Sequence, residues 1–251
     1  MHRLPVYRVV GLAWLHVIRH KLDLLKLGLP WFLIPAAMAA ASRFLADGLE
    51  PWYGRIEAGI AYLAGLILAR AWIRHVLLDE RRAGPAPLNG GAVRYLVWNF
   101  VLILLAALPA APAIAYALFG TVPTYVGLAK IAALLIALPF VARLALVFAP
   151  AAIEAPGSKL QAGWEAGAGS WWRLLAAFVL TAVSGYVVTL LLVIPIGTMI
   201  MAVDPGAALA DHPSLRIVGH LLTLLFIALT SGLIAWSWRA LTQGDAALPT
   251  R

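Results

Sequence analysis

Arg143 and Glu154 stand near the two ends of the run A-R-L-A-L-V-F-A-P-A-A-I-E-A-P-G-S, residues 142–158, where Pro150 and Pro156 break an apolar stretch. An arginine and a glutamate in apolar surroundings can form a buried ion pair. Alternatively, the arginine can grip a phosphate through charge-assisted hydrogen bonds. Arg70, Arg74 and His75 form a second group of this kind near the end of an earlier apolar run, and Arg173 opens a later one. These residue types suit recognition of a lipid headgroup. The competing explanation is that they snorkel to water and only set topology. Arg143 is within snorkelling reach of the surface, Pro150 lies at the exit of its run and Glu154 lies beyond. The two charges are therefore expected to bound an elbow at the membrane surface rather than to meet as a reactive pair.

Chemistry beyond binding has no visible residues. The sequence contains no G-x-x-x-x-G-K-[ST], G-x-S-x-G or H-E-x-x-H, so the common phosphate-loop and hydrolase signatures are missing. Asp204, Asp211 and His212 are ligand types, but their spacing matches no metal signature and reads as a solvated loop. Cysteine is absent, which excludes a disulfide framework, a thiolate metal site and a lipidated cysteine. The expectation is a chain that is not an enzyme, with no catalytic, cofactor-binding or metal residues.

The elements that must position these groups follow from composition. Of 251 residues, 63% are hydrophobic and 12% charged, against about 45–50% apolar and about 25% charged in ordinary soluble domains. The excess sits in continuous runs of about 20 residues or more, the length that about 30 Å of hydrocarbon requires. Continuity excludes the period-two alternation of a barrel. The fold class is therefore all-α: a polytopic transmembrane helical bundle of about six spans, forming one integral membrane domain over residues 1–251. The spans fall at about 24–45, 56–78, 92–119, 125–149, 171–203 and 215–240, after a cytoplasmic or interfacial segment at 1–23. Their central thirds hold no Asp, Glu or Lys, so a carboxylate relay at mid-membrane has no candidates. Glu57, Lys130 and His220 lie close enough to a span end to reach water.

An even number of spans puts both termini on one side. Fifteen lysines and arginines fall on the side of the termini, and only Arg43, Arg55, Lys130 and Arg216 on the other. The positive-inside rule makes the termini cytoplasmic. It also accounts for the net charge of +8 without nucleic acid. Partners are expected to be membrane lipids, anionic ones among them, and a further membrane protein.

Two segments read as neither span nor loop. Residues 6–23 carry His16, Arg19, His20 and Asp23 at helical spacing against Val10, Trp14, Val17 and Ile18, which suits a helix lying in the interface against anionic headgroups. Residues 158–170 begin with S-K-L-Q, a capping box, and place Leu160, Trp164 and Trp171 at spacings of four and seven. Gly163, Gly167 and Gly169 weaken this second helix, since an interior glycine costs about 1 kcal/mol relative to alanine. Prolines at 30, 35, 109, 112, 139 and 195 are expected to kink their spans. Ala61, Gly65 and Ala69 form a small-residue ridge that lets another helix approach. A faint repeat relates Arg70, Glu80 and Arg94 to Arg143, Glu154 and Arg173, each set spanning a Gly/Pro elbow.

Over residues 141–175 the chain resembles a broad group of uncharacterised bacterial multi-pass membrane proteins. It is similar to the YciC-like families and to the membrane domain attached to some glycerophosphodiester phosphodiesterases. The resemblance rests on Arg143 near a span end, Pro150 in the turn, Glu154, the Trp164 helix, Gly169 and Arg173 at the next span start. It implies a helical membrane fold in a bacterial inner membrane and carries no hydrolysis with it. The expected function is that of a noncatalytic inner-membrane protein acting through lipid or membrane-protein contacts. The alternative is a small transporter or lipid-translocating protein, which the kinked spans motivate. Candidate headgroup or elbow residues are Arg70, Arg74, His75, Arg143, Glu154 and Arg173.

Overall fold

The structure, a computed structural model, describes residues 3–42, 50–78, 90–107, 139–156, 159–203, 212–244, 246 and 248–249. Every regular element among them is helical. The longer elements in chain order are α1 (Val6–Arg19), α2 (Lys21–Ala41), α3 (Glu50–Leu78), α4 (Gly90–Ala107), α5 (Phe148–Ala152), α6 (Lys159–Ala166), α7 (Trp171–Val203) and α8 (Pro213–Gln243). Among the described residues, four stretches are long and apolar enough to cross a membrane: Lys21–Ala41, Trp52–Leu78, Trp171–Val203 and Ser214–Gln243. They match four of the expected spans, with ends moved by a few residues. The spans expected at 92–119 and 125–149 are represented by α4 and by the shorter apolar stretch Pro139–Ala152. Their middles, with Pro109, Pro112 and Lys130, lie outside the described residues, as do Glu80 and the Gly/Pro elbow of the expected repeat.

Local chemistry explains the breaks. The stretch Pro139–Ala152 is interrupted by a turn at 146–147, four residues before Pro150. Proline there cannot donate to the Leu146 carbonyl and its ring crowds that oxygen. The backbone tightens instead, with Leu146 N donating to Arg143 O and Val147 N to Leu144 O. After α5, Ala155 N donates to Pro150 O and Glu154 N to Ala151 O, while Glu154 takes a φ of 55°. This is a Schellman ending in which a glutamate occupies the left-handed position that glycine usually fills, and Pro156 follows to stop the helix. In α2 the helix continues through Pro30 and Pro35, and α7 continues through Pro195.

Contacts divide the chain into two compact units. One comprises Met1–Val9, Pro87–Phe178 and Ile234–Arg251; the other comprises Val10–Ala86 and Val179–Leu233. In the first unit, Tyr95 of α4 lies on Phe148 of α5 with ring centroids 5.3 Å apart. α6 crosses α5 so closely that a Cβ on Gly163 would stand 2.7 Å from the Val147 backbone nitrogen. The glycine that weakens α6 as an isolated helix is thus the residue that lets it dock. Arg173 of α7 donates to the Leu4 carbonyl at 3.3 Å, and Arg8 donates to Leu248 and Pro249 carbonyls at 3.1 and 3.2 Å. The first and last described residues therefore lie together.

The second unit is built on a helix hairpin. α2 packs antiparallel on α3, and α8 runs parallel to α3, since Glu57 meets Arg216 and Trp72 lies near Gly232. A Cβ on Gly28 would meet the tip of Leu224 at 2.6 Å and Leu68 at 3.3 Å, so this glycine sits where α2, α3 and α8 converge. Gly65 of the expected ridge is buried, and a Cβ on it would stand 2.7 Å from Ile227 Cδ1 of α8. α7 meets α8 at Gly185, where a Cβ would stand 2.7 Å from the Phe226 ring. α1 does not lie free: Val10, Ala13 and Val17 are buried, and Trp14 donates to Ser184 of α7 at 2.9 Å. Helical hydrogen bonds continue across the junction of α1 and α2, from His20 N to His16 O and from Leu24 N to His20 O. The two helices meet in a bend at His20 rather than in a loop.

Two stability outcomes follow. Gly163→Ala drives a methyl into backbone and is expected to cost about 1–3 kcal/mol. Gly28→Ala meets leucine side chains rather than backbone and gains helix propensity, so it is expected to cost less than Gly163→Ala. Thermal unfolding in detergent of the two variants checks that order. At Glu154 the expected ranking is Gly at least equal to Glu, with Val lower, because a β-branched residue at positive φ is the worst tolerated.

Candidate functional site

The polar groups of the second unit gather at the two ends of the α2–α3 hairpin. At one end Glu57, 5% exposed, receives the Arg216 guanidinium on Oε2 and the His220 ring on Oε1, the latter at 2.7 Å. Arg216 also donates to Ser42 Oγ at 2.9 Å, and that hydroxyl donates to the Ala39 carbonyl at 2.8 Å. α2, α3 and α8 are thereby tied through one carboxylate. Both its oxygens are engaged by side chains of α8. This also removes Arg216 from the free positive charge on its side of the chain.

At the other end His75 of α3, 2% exposed, meets two helices at once. Its Nδ1 lies 3.0 Å from His16 Nε2, and its Nε2 lies 3.6 Å from Asp23 Oδ2. His20 Nδ1 lies 3.3 Å from the same carboxylate oxygen. The three imidazoles touch, with centroid separations of 4.5 to 5.1 Å, and Trp72 stacks on His75 and meets His16 in a T-shaped contact. The bend at His20 is what turns Asp23 and the two histidines of α1 toward α3. Between the clusters, residues 58–69 of α3 carry no Asp, Glu, Lys, Arg or His. Glu57 and His75 are 18 residues apart, about 27 Å at 1.5 Å per residue.

The residues picked out by sequence fall into both units. Arg70, 3% exposed, and the half-buried Arg74 lie on α3 beside His75, and both are engaged by other groups. Arg143, Glu154 and Arg173 belong to the first unit. There the Arg143 guanidinium lies 3.6 Å from the centre of the Trp164 ring and donates to the Trp164 carbonyl at 2.7 Å. That carbonyl is in the last turn of α6, where a cation complements the helix dipole. Phe140 stacks on the same tryptophan, with centroids 6.0 Å apart, and Gly167 leaves room for the arginine stem. Arg143 thus folds the elbow onto itself, and Glu154 supplies its left-handed turn. Arg173 lies beside Trp172 and anchors Leu4. Ser158, the expected cap of α6, lies outside the described residues, and Gln161 donates to Glu165 at 2.8 Å.

Spacing alone puts His16, His20 and Asp23 on a face turned to lipid headgroups, and Glu57 and His220 within reach of water. The structure turns all five into protein contacts. One signal could have found them: in an antiparallel hairpin, residues equally far from its midpoint sit at the same height. Asp23 and His75 are equidistant from position 49, and Ser42 and Glu57 nearly so. Comparison with known proteins finds no family model, no curated protein and no solved structure that matches this chain.

Breaking the Glu57 cluster is expected to be costly, because Arg216 and His220 are then left partly buried without their carboxylate. Glu57→Ala should destabilise by about 3 kcal/mol, and Ser42→Ala by about 1 kcal/mol. Chemical or thermal unfolding in detergent measures both, and equal small effects would show the carboxylate to be solvated.

Proposed function

We propose that this chain is a noncatalytic, multi-pass protein of a bacterial inner membrane, with both termini cytoplasmic, acting through contacts with lipid or with another membrane protein. The observation that carries the reading is the surface of α7. Only 17% of its most apolar window is buried, against 44% for Trp52–Leu78 and for Ser214–Gln243. Val183, Tyr186, Leu191 and Ile194 stand out from it, Leu191 at 67% exposure. Water does not tolerate an apolar face of that length, whereas acyl chains or a second apolar helix do. Near Pro195 the face carries a groove of about 300 Å³ lined by Val187, Leu190, Leu191, Ile194 and Pro195.

Other features agree. The polar clusters on α3 stand about 27 Å apart, close to the roughly 30 Å of a hydrocarbon core. Arg8 ties the first described residues to the last ones, which suits an even number of crossings. The cytoplasmic assignment rests on the fifteen-to-four charge split, and the bacterial one on the resemblance over 141–175. The small-transporter alternative needs a polar path, and residues 58–69 of α3 offer it no charged group.

The cysteine-free sequence allows a direct test. Single cysteines replacing Arg3 and Gln243 should be unreactive to an impermeant maleimide in intact cells and reactive after lysis. A photocrosslinker replacing Leu191 should capture lipid or one discrete protein. Labelling of either terminus from outside overturns the orientation, and capture of neither class overturns the contact function.

A further inference from the structure

We propose that His20, Asp23 and His75 form a binding site for a divalent transition metal ion of the zinc type, with His16 as the group that orients His75. One ligand atom from each of the three residues lies within 4.8 Å of the others. Zinc–nitrogen and zinc–oxygen bonds of about 2.0–2.2 Å set tetrahedral ligand separations of about 3.3–3.6 Å. The carboxylate oxygen of Asp23 stands 3.3 Å from His20 Nδ1 and 3.6 Å from His75 Nε2, so two edges of such a tetrahedron are already present. The third closes by rotation of the His20 ring, which is about a third exposed.

The second nitrogen of His75 supports the same arrangement. A metal-binding histidine usually uses its other ring nitrogen in a hydrogen bond that fixes tautomer and orientation. His75 Nδ1 lies 3.0 Å from His16 Nε2. When Nδ1–H donates there, Nε2 presents its lone pair toward Asp23. Trp72 holds the His75 plane by stacking, 5° from parallel. The separation of 3.6 Å between His75 Nε2 and Asp23 is too long for a hydrogen bond and suits an ion between the two. Two imidazoles and one carboxylate favour zinc, cobalt or nickel over magnesium or calcium, which prefer all-oxygen sets. His20 and Asp23 are partly exposed, which gives the ion an entry path and an open fourth position. Bound metal joins the α1–α2 bend to the end of α3.

The experiment uses the full chain in detergent, purified without a polyhistidine tag and stripped with chelator. Titration with Zn²⁺ and with Co²⁺ should give roughly one equivalent per chain, a raised unfolding temperature and tetrahedral cobalt absorption. His20→Gln and Asp23→Asn, at partly exposed positions and close to isosteric, should each weaken binding by about 100-fold or more, as should His75→Ala. His16→Gln should weaken it by about 10–100-fold while keeping the stoichiometry. His212→Ala, outside the cluster, should bind as wild type does. Binding well below one equivalent, or unchanged affinity in both His20→Gln and Asp23→Asn, overturns the site.

Discussion

A buried carboxylate needs a cation within reach, and the second unit is organised around how Glu57 meets that need. Its two oxygens take Arg216 and His220 from α8, and Arg216 reaches on to Ser42 at the end of α2. Once that contact exists, α2 must return along α3 and α8 must run beside α3 at a set height. The small residues then fall where other helices press. Gly28 receives Leu224 and Leu68, and Gly65 receives Ile227. Association of apolar helices gains little from hydrophobicity when the surroundings are also apolar, so close packing and polar contacts decide the register.

The first unit solves a different problem, how a chain turns sharply between helices without leaving backbone groups unpaired. Pro150 forces a break before it, the Schellman bonds satisfy the last carbonyls, and Glu154 accepts the left-handed conformation. Gly163 then lets α6 lie against α5, and Arg143 closes the assembly by stacking on Trp164 and taking its carbonyl. A residue that composition marks as a membrane-surface charge is in this setting a helix cap. The elbow at 142–158 is therefore a folded object with its own internal contacts.

Much of this was legible without coordinates. The helical class, the apolar stretches α2, α3, α7 and α8, the interruption around Pro150 and the small-residue ridge at Gly65 all follow from residues close together in the chain. The short helices α1 and α6 were visible in spacing and composition. What was not visible was which face each turns where. The apolar residues of α1 read as lipid-facing, yet Val10, Ala13 and Val17 are buried in protein, because an amphipathic stripe does not specify whether acyl chains or side chains cover it. Gly163 read as a defect of α6 because propensity counts only the helix's own backbone, and its value appears only against Val147.

Sequence alone determined how often the chain becomes helix, how apolar those helices are and where they must stop. Those properties depend on hydrogen bonds and side chains within a turn or two. Tertiary structure alone decided which polar groups meet. Asp23 finds His75 across 52 residues and Glu57 finds Arg216 across 159. Charge attraction does not encode sequence separation, so each of these groups had several eligible partners. The hairpin's antiparallel register and the bend at His20 selected among them by bringing one pair within a few ångströms and leaving the rest apart.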